Sequence, residues 1–196
     1  MPYLFRMATR SRTVVAITAF ALLALTGCQP DGPTVEPDPT PTVPPIFESD
    51  EEALAAAEEA YGRYLAVSDQ ITADGGSEAD RVEPFVHDSL RDEIVESFEV
   101  YQEQAIRTKG SLDFDSMTLQ SLTFDDSGFA TVRIYACLDF TNIQVLDSED
   151  RNVTPDSANG RVPFELAFTT QGGTEDVPLL LEESEVWTGT DFCASS

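Results

Sequence analysis

The sequence predicts an α+β domain in which N-terminal helices cover one apolar face of an antiparallel sheet. Two observations carry this expectation. Apolar residues recur at helical spacing from Ser49 to about Thr108, and beyond Met117 the period changes to two. A sheet with one apolar face must bury it, and the preceding helices are the cover the chain supplies. With 196 residues, the chain has room for one such domain once its N-terminal segments are set aside.

The first helix opens at Ser49, followed three residues later by Glu52 in a capping-box pattern. Leu54, Ala57, Tyr61, Tyr64, Leu65, Ser68 and Ile71 then share one helical face, and Asp74-Gly75-Gly76 ends the helix. A short helical piece follows from Arg81 to His87. The second long helix reads from Ser89 to about Thr108, with Leu90, Ile94, Phe98, Tyr101 and Ala105 on one face and Gly110 as its stop. Met117 to Phe124 alternates and runs into Asp125-Asp126-Ser127-Gly128, a turn signal. Phe129 to Phe140 is rich in β-branched and aromatic residues, so the two strands form a hairpin. Ile143 to Leu146 reads as an extension of the second strand. Arg161 to Thr170 is the third strand, and Val177 to Thr188, after a turn at Gly172-Gly173, is the fourth. No internal repeat is visible.

Ahead of this domain lie two segments without a core-forming pattern. Residues 1–27 carry a basic start (Arg6, Arg10, Arg12), an apolar run from Val14 to Leu25, and then Leu25-Thr26-Gly27-Cys28. The apolar run is too short for ~30 Å of hydrocarbon, which marks a signal peptide rather than a membrane-spanning helix. A secretory signal with an incidental Cys is the alternative. From Gln29 to Pro45 there are seven prolines in 17 residues, a composition that favours an extended spacer over a packed core. A Pro-x-x-Pro peptide ligand is the other reading. The layout is therefore 1–27 signal peptide, 28–48 tether and 49–196 globular domain.

The Leu25-Thr26-Gly27-Cys28 ending resembles the lipobox of bacterial lipoproteins. The resemblance implies that Cys28 receives diacylglycerol through a thioether and becomes the first residue after cleavage. Only a thiol can form that bond, and the small Gly27 lets the peptidase approach. Two acyl chains anchor stably. The implied location is the extracytoplasmic face of the cell membrane, with the membrane itself as a partner through the lipid. A single lysine, Lys109, beside ten arginines and abundant Ala, Asp, Thr and Val suits an actinobacterial lipoprotein.

Charge narrows the partners. The chain carries 11 basic and 36 acidic residues, and from Cys28 onward 8 basic against 36 acidic, net −28. Such a surface repels nucleic-acid phosphates and anionic headgroups, so nucleic acid is excluded as a partner. It is read either as a solvated acidic surface or as one drawing cations and basic proteins.

With Cys28 lipidated, Cys137 and Cys193 remain as one even pair in an oxidising compartment, where a disulfide between them is expected. Two buried free thiols or a redox pair are the alternatives, and no Cys-x-x-Cys spacing occurs. No catalytic residue, metal ligand or cofactor is assigned. His87, the only histidine, reads as a packing or capping residue, and neither a Gly-x-Ser-x-Gly elbow nor a glycine-rich phosphate loop occurs. Asp147-Ser148-Glu149-Asp150-Arg151-Asn152 reads as a solvated hairpin loop or an oxygen-ligand loop. It lacks Gly at its sixth place, and Ala158 stands at the twelfth.

Helices followed by a meander, with Tyr135-Ala136-Cys137-Leu138-Asp139, a late-strand Trp187 and a terminal Cys193, resemble NTF2-like or SnoaL-like cone domains over about Ser49 to Cys193. The resemblance implies a curved sheet around the N-terminal helices, and some members of that group are enzymes with Asp, Tyr or His in the cavity. Tyr135, Asp139 and Trp187 are the candidate pocket residues. Tyr135 and Asp139 share a strand face with Cys137, which points either inward as donor and base or outward with the disulfide and solvent. The aromatic residues Phe114, Phe124, Phe129, Phe140, Phe164 and Phe168 either fill the core or line a pocket between helices and sheet. Three functional readings follow. The first is a non-catalytic, lipid-anchored domain that binds a small apolar ligand or an envelope protein. The others are an extracellular lyase or isomerase, and a cell-envelope spacer or assembly component without a ligand.

Overall fold

Helix α1 (Asp50–Ala73) begins where the Ser49 hydroxyl accepts the Glu52 amide at 3.2 Å and the Glu52 carboxylate accepts the Glu48 amide at 2.7 Å. Asp50, Glu51 and Glu52 complement the positive end of the helix dipole. The computed structural model describes residues 46–155, 160–171 and 178–194. The leader, Cys28, the proline-rich run to Pro45 and the Gly172-Gly173 turn lie outside the described residues. Among those described, no helix is long and apolar enough to cross a membrane.

After α1 come a short 3-10 helix (Ala79–Phe85) and α2 (Asp88–Gln104), followed by β1 (Arg107–Lys109), β2 (Asp113–Phe124), β3 (Ala130–Asp139), β4 (Gln144–Leu146), β5 (Arg161–Thr170) and β6 (Leu179–Val186). The architecture is α+β, with an antiparallel four-stranded sheet in the order β2-β3-β5-β6 and a separate two-stranded ribbon, β1-β4. His87 caps α2: its Nδ1 accepts the Ser89 amide at 3.3 Å.

The inner face of the large sheet carries Leu119 and Leu122 of β2, Val132, Ile134, Ala136 and Leu138 of β3, Leu166 and Phe168 of β5, and Leu179 and Leu181 of β6. Against it α1 buries Ala53, Ala57, Ala60, Tyr61, Leu65 and Ile71. The small alanines let the helix approach, and Tyr61 fills the remaining depth at 1% exposure. Its ring meets Phe114 edge-on at 5.2 Å and Phe168 at 6.1 Å, an arrangement favoured by the ring quadrupoles. Each such fully buried side chain contributes about 1.5–3 kcal/mol.

Two expectations are corrected. The second helix does not run to Thr108: Ala105 takes a left-handed backbone (φ 51), and the Ile106 amide closes back on the Tyr101 carbonyl at 3.0 Å. The chain after Ala105 is thereby freed to form β1. Ile143–Leu146 does not extend the second strand either. The Asp139 carboxylate accepts the Thr141 amide and hydroxyl at 2.9 and 2.7 Å, which turns the chain, and β4 pairs with β1 in the register Thr108↔Val145. Gly110 serves this ribbon rather than stopping a helix, since a Cβ there would lie 1.9 Å from the Asn142 carbonyl oxygen.

On the outer face, Cys137 and Cys193 form a disulfide with a Cα–Cα distance of 5.6 Å. Around it the C-terminal tail folds onto the sheet. The Trp187 amide donates to Pro163 O at 2.8 Å, and Arg161 Nη1 donates to Cys193 O at 2.9 Å. The link spans 56 positions, for which chain entropy gives about 4 kcal/mol before native strain. Replacing both cysteines by alanine is expected to lower stability by about 2–4 kcal/mol in urea unfolding; an unchanged midpoint would show that the tail is held by its hydrogen bonds and rings alone.

Candidate ligand pocket

The core stripe of α1 continues past the large sheet as a mixed row, Leu65, Ser68, Asp69 and Thr72, at positions i, i+3, i+4 and i+7. Leu65 still borders the core of the large sheet, whereas Asp69 and Thr72 meet the segment that carries the ribbon, and polar groups knit helix and ribbon together. The buried Thr108 hydroxyl of β1 donates to Thr72 Oγ1 at 2.7 Å, and Thr72 donates in turn to the Asp69 carbonyl at 3.2 Å. The Leu112 amide reaches both Asp69 carboxylate oxygens at 3.3 Å. Across the ribbon, Thr154 Oγ1 accepts the Val145 amide at 2.8 Å and donates to Asn152 Oδ1 at 2.6 Å.

Between helix and ribbon these groups leave a pocket of about 250 Å³. Its apolar wall is Leu65, Tyr101, Leu112, Phe140, Ile143 and Val145. Its polar groups are Ser68, Asp69, Thr72, Thr108 and Thr154. The volume sits just under the ~300–1,000 Å³ of ordinary small-molecule sites, so it fits a ring or a short chain. Other hollows are open grooves with charged rims. One is bordered by Asp74, Asp147 and the Arg107–Asp150 ion pair at 2.7 Å, another by Asp80, Glu83, Asp92, Glu96 and Glu99 around Arg91.

Asp69 is the pocket's one carboxylate. Burial holds its pKa above the ordinary 3.8, opposed by the Leu112 amide and reinforced by the nearby charge of Asp113. None of the ion pairs among the described residues involves it. An unpaired, half-buried carboxylate beside six apolar or aromatic side chains is the most distinctive electrostatic feature of the site.

Tyr135, Asp139 and Trp187 do not line this pocket. In β3 the inner positions are Ile134, Ala136 and Leu138, so alternation sends Tyr135, Cys137 and Asp139 to the outer face. There Tyr135 meets Trp187 edge-on at 5.2 Å and Phe192 at 5.7 Å, and its hydroxyl accepts Gln120 Nε2 at 2.5 Å. Asp139 stands at the strand end. Its bonds from the Thr141 hydroxyl and amide, with Arg161 nearby, hold its carboxyl below the ordinary range, opposite to what a general base near neutral pH needs. Tyr135 and Trp187 are thus brought together beneath the tail, beside the disulfide.

The Asp147–Asn152 stretch is a hairpin closed on itself. Asp147 accepts the Glu149 and Arg151 amides at 2.9 and 3.0 Å and Arg151 Nε at 2.7 Å, which lowers its own pKa. Among the described residues, no group of three or more His, Cys, Asp or Glu side chains is placed to hold a metal ion. The residues that sequence reasoning missed are Asp69, Thr72, Thr108, Leu112, Val145 and Thr154. The visible signal was the polar interruption of an apolar helical stripe at Ser68-Asp69 and Thr72. Nothing in the strand pattern announced the ribbon half of the site.

Because Asp69's pKa is raised on folding, the folded state takes up its proton at higher pH than the unfolded chain. The cost of ionised Asp69 is therefore present above this window and relieved as pH falls through it towards 3.8. The Tm of Asp69→Asn minus that of wild type is expected to shrink as pH is lowered from 7 towards 3.8. A difference that grows on acidification would show that the Leu112 bond outweighs burial.

The sequence matches no protein-family model and no curated protein. Among solved structures, the intermembrane-space region of the chloroplast protein ARC6 is similar with 9% identity, 68% of this chain and 95% of that chain covered, and a TM-score of 0.49. A periplasmic fragment of TraM is similar with 10% identity, 71% and 98% covered, and a TM-score of 0.46. At these values neither likeness bears on what this chain binds or where it acts.

Proposed function

We propose that this chain is a bacterial lipoprotein of actinobacterial type, anchored through acyl chains on Cys28 at the extracytoplasmic face of the cell membrane, whose domain binds a small apolar ligand. In this reading the domain is an NTF2-like cone with its ligand site displaced to the end of the sheet, between α1 and the ribbon. The pocket carries the reading: six apolar or aromatic walls enclose about 250 Å³ next to a few oriented polar groups. Binding is favoured over turnover by the chemistry of that lining. Among the described residues that form it, one carboxylate stands with no histidine, lysine, arginine or cysteine to share proton transfer. The anchor rests on the basic start, the short apolar run and the Leu25-Thr26-Gly27-Cys28 ending.

Two measurements test the proposal. Cys28→Ala protein is expected to leave the membrane fraction or accumulate as uncleaved precursor. Retention as firm as that of wild type would remove the lipid anchor from the account. For the pocket, Ile143→Trp places an indole in the cavity. Mass spectrometry of small molecules that co-purify with the chain is expected to show apolar species with wild type and their loss with Ile143→Trp, while circular dichroism stays unchanged. Equal recovery from both proteins would place the binding elsewhere.

A further inference from the structure

We infer that the ligand is an apolar cation, an amine-type molecule whose protonated nitrogen lies against the Asp69 carboxylate while its hydrocarbon part fills the pocket. The inference rests on the binding reading above and follows from which hydrogen-bonding directions the lining has already used. The hydroxyl protons of three threonines are committed to protein acceptors: Thr108 to Thr72 Oγ1, Thr72 to the Asp69 carbonyl, and Thr154 to Asn152 Oδ1. What these groups still present to a ligand is lone pairs.

Asp69 adds to the same sign. Its two oxygens accept only the long 3.3 Å bonds from the Leu112 amide, whereas an ionised carboxylate has about four acceptor positions. The Ser68 hydroxyl, buried in the lining with no hydrogen-bond partner, can donate or accept, so acceptor positions outnumber free donors and a ligand that donates is matched better than one that only accepts. Charge points the same way. The lining holds one formal charge, negative and outside every ion pair among the described residues, and the chain's net charge of −25 raises the local concentration of cations. A half-buried carboxylate without a counter-ion is unfavourable, and a ligand ammonium supplies the missing partner in a charge-assisted bond. An anion would meet repulsion from Asp69, with the neutral Ser68 hydroxyl as a donor too weak to offset it. The apolar wall of Leu65, Leu112, Phe140, Ile143 and Val145 rejects a small hydrated cation, because nothing there replaces its water.

The test uses three probes of one shape, cyclohexylammonium, cyclohexanol and cyclohexanecarboxylate. Each is titrated into the full chain while the Thr108, Leu112 and Val145 amides are followed by NMR. Cyclohexylammonium is expected to bind about tenfold or more tighter than cyclohexanol, with cyclohexanecarboxylate weakest, as a charge-assisted bond predicts. The preference should fall to about twofold in Asp69→Asn and persist in Asp69→Glu. Equal binding of the ammonium and the alcohol to wild type would overturn the cation inference and leave the apolar pocket standing. So would a preference that survives in Asp69→Asn. Absence of any probe-induced change at the three amides would overturn both. The wild-type comparison decides the matter even if a variant fails to fold.

Discussion

Helix α1 packs against two sheets at once, and its sequence is divided accordingly. Its first four turns present alanines and Tyr61 to the four-stranded sheet, where the close approach of a small-residue stripe puts the Tyr61 ring between Phe114 and Phe168. Past Leu65, its last turns present Ser68, Asp69 and Thr72 towards the ribbon, where Asp69 and Thr72 replace packing by hydrogen bonding. The rest of the fold follows from that division. The large sheet is fixed by apolar burial, the ribbon is fixed to the helix by a short chain of threonine hydroxyls, and the Asp69 carboxylate holds the Leu112 segment that follows β1. Hydrogen bonds hold the second junction at a few points instead of over a continuous packed surface, and the space between those points is left open.

The two faces of β3 show how one strand separates structure from the outside. Its even positions are Val132, Ile134, Ala136 and Leu138, all buried against the helix. Its odd positions include Arg133, Tyr135, Cys137 and Asp139. They carry the Arg133–Glu183 ion pair, the aromatic contact with Trp187, the disulfide and the turn after the strand. The outer face is therefore occupied by the chain's own C-terminal tail. Its aromatic residues are spent on holding that tail, which leaves the space between α1 and the ribbon as the place where apolar surface and open space coincide.

Much of the fold was legible in the sequence because burial imposes a period. The Ser49–Glu52 cap, the apolar stripe of α1, the hairpin across Asp125–Gly128 and the third strand all read directly. What did not read was decided by single backbone events. A left-handed Ala105 ended α2 early, and an Asp139 side chain turned the strand where its pattern would have let it continue. Those two events create β1 and β4, and with them half of the pocket. The direction of Tyr135 and Asp139 was undecidable from alternation alone, since a strand's period gives two faces without saying which is inner. Ser68 sat in the helical stripe in plain view, and its polarity there marked the point where the sheet stops and the ribbon begins.

The central claim is that the space between α1 and the ribbon is an apolar, enterable site rather than a packing irregularity. Xenon settles in apolar cavities and has no use for surface grooves. Diffraction from xenon-pressurised crystals is the direct measurement. The account predicts a xenon peak between Leu65, Leu112, Ile143 and Val145. Xenon found only beneath Trp187 at Tyr135, or no peak inside the molecule, would contradict it.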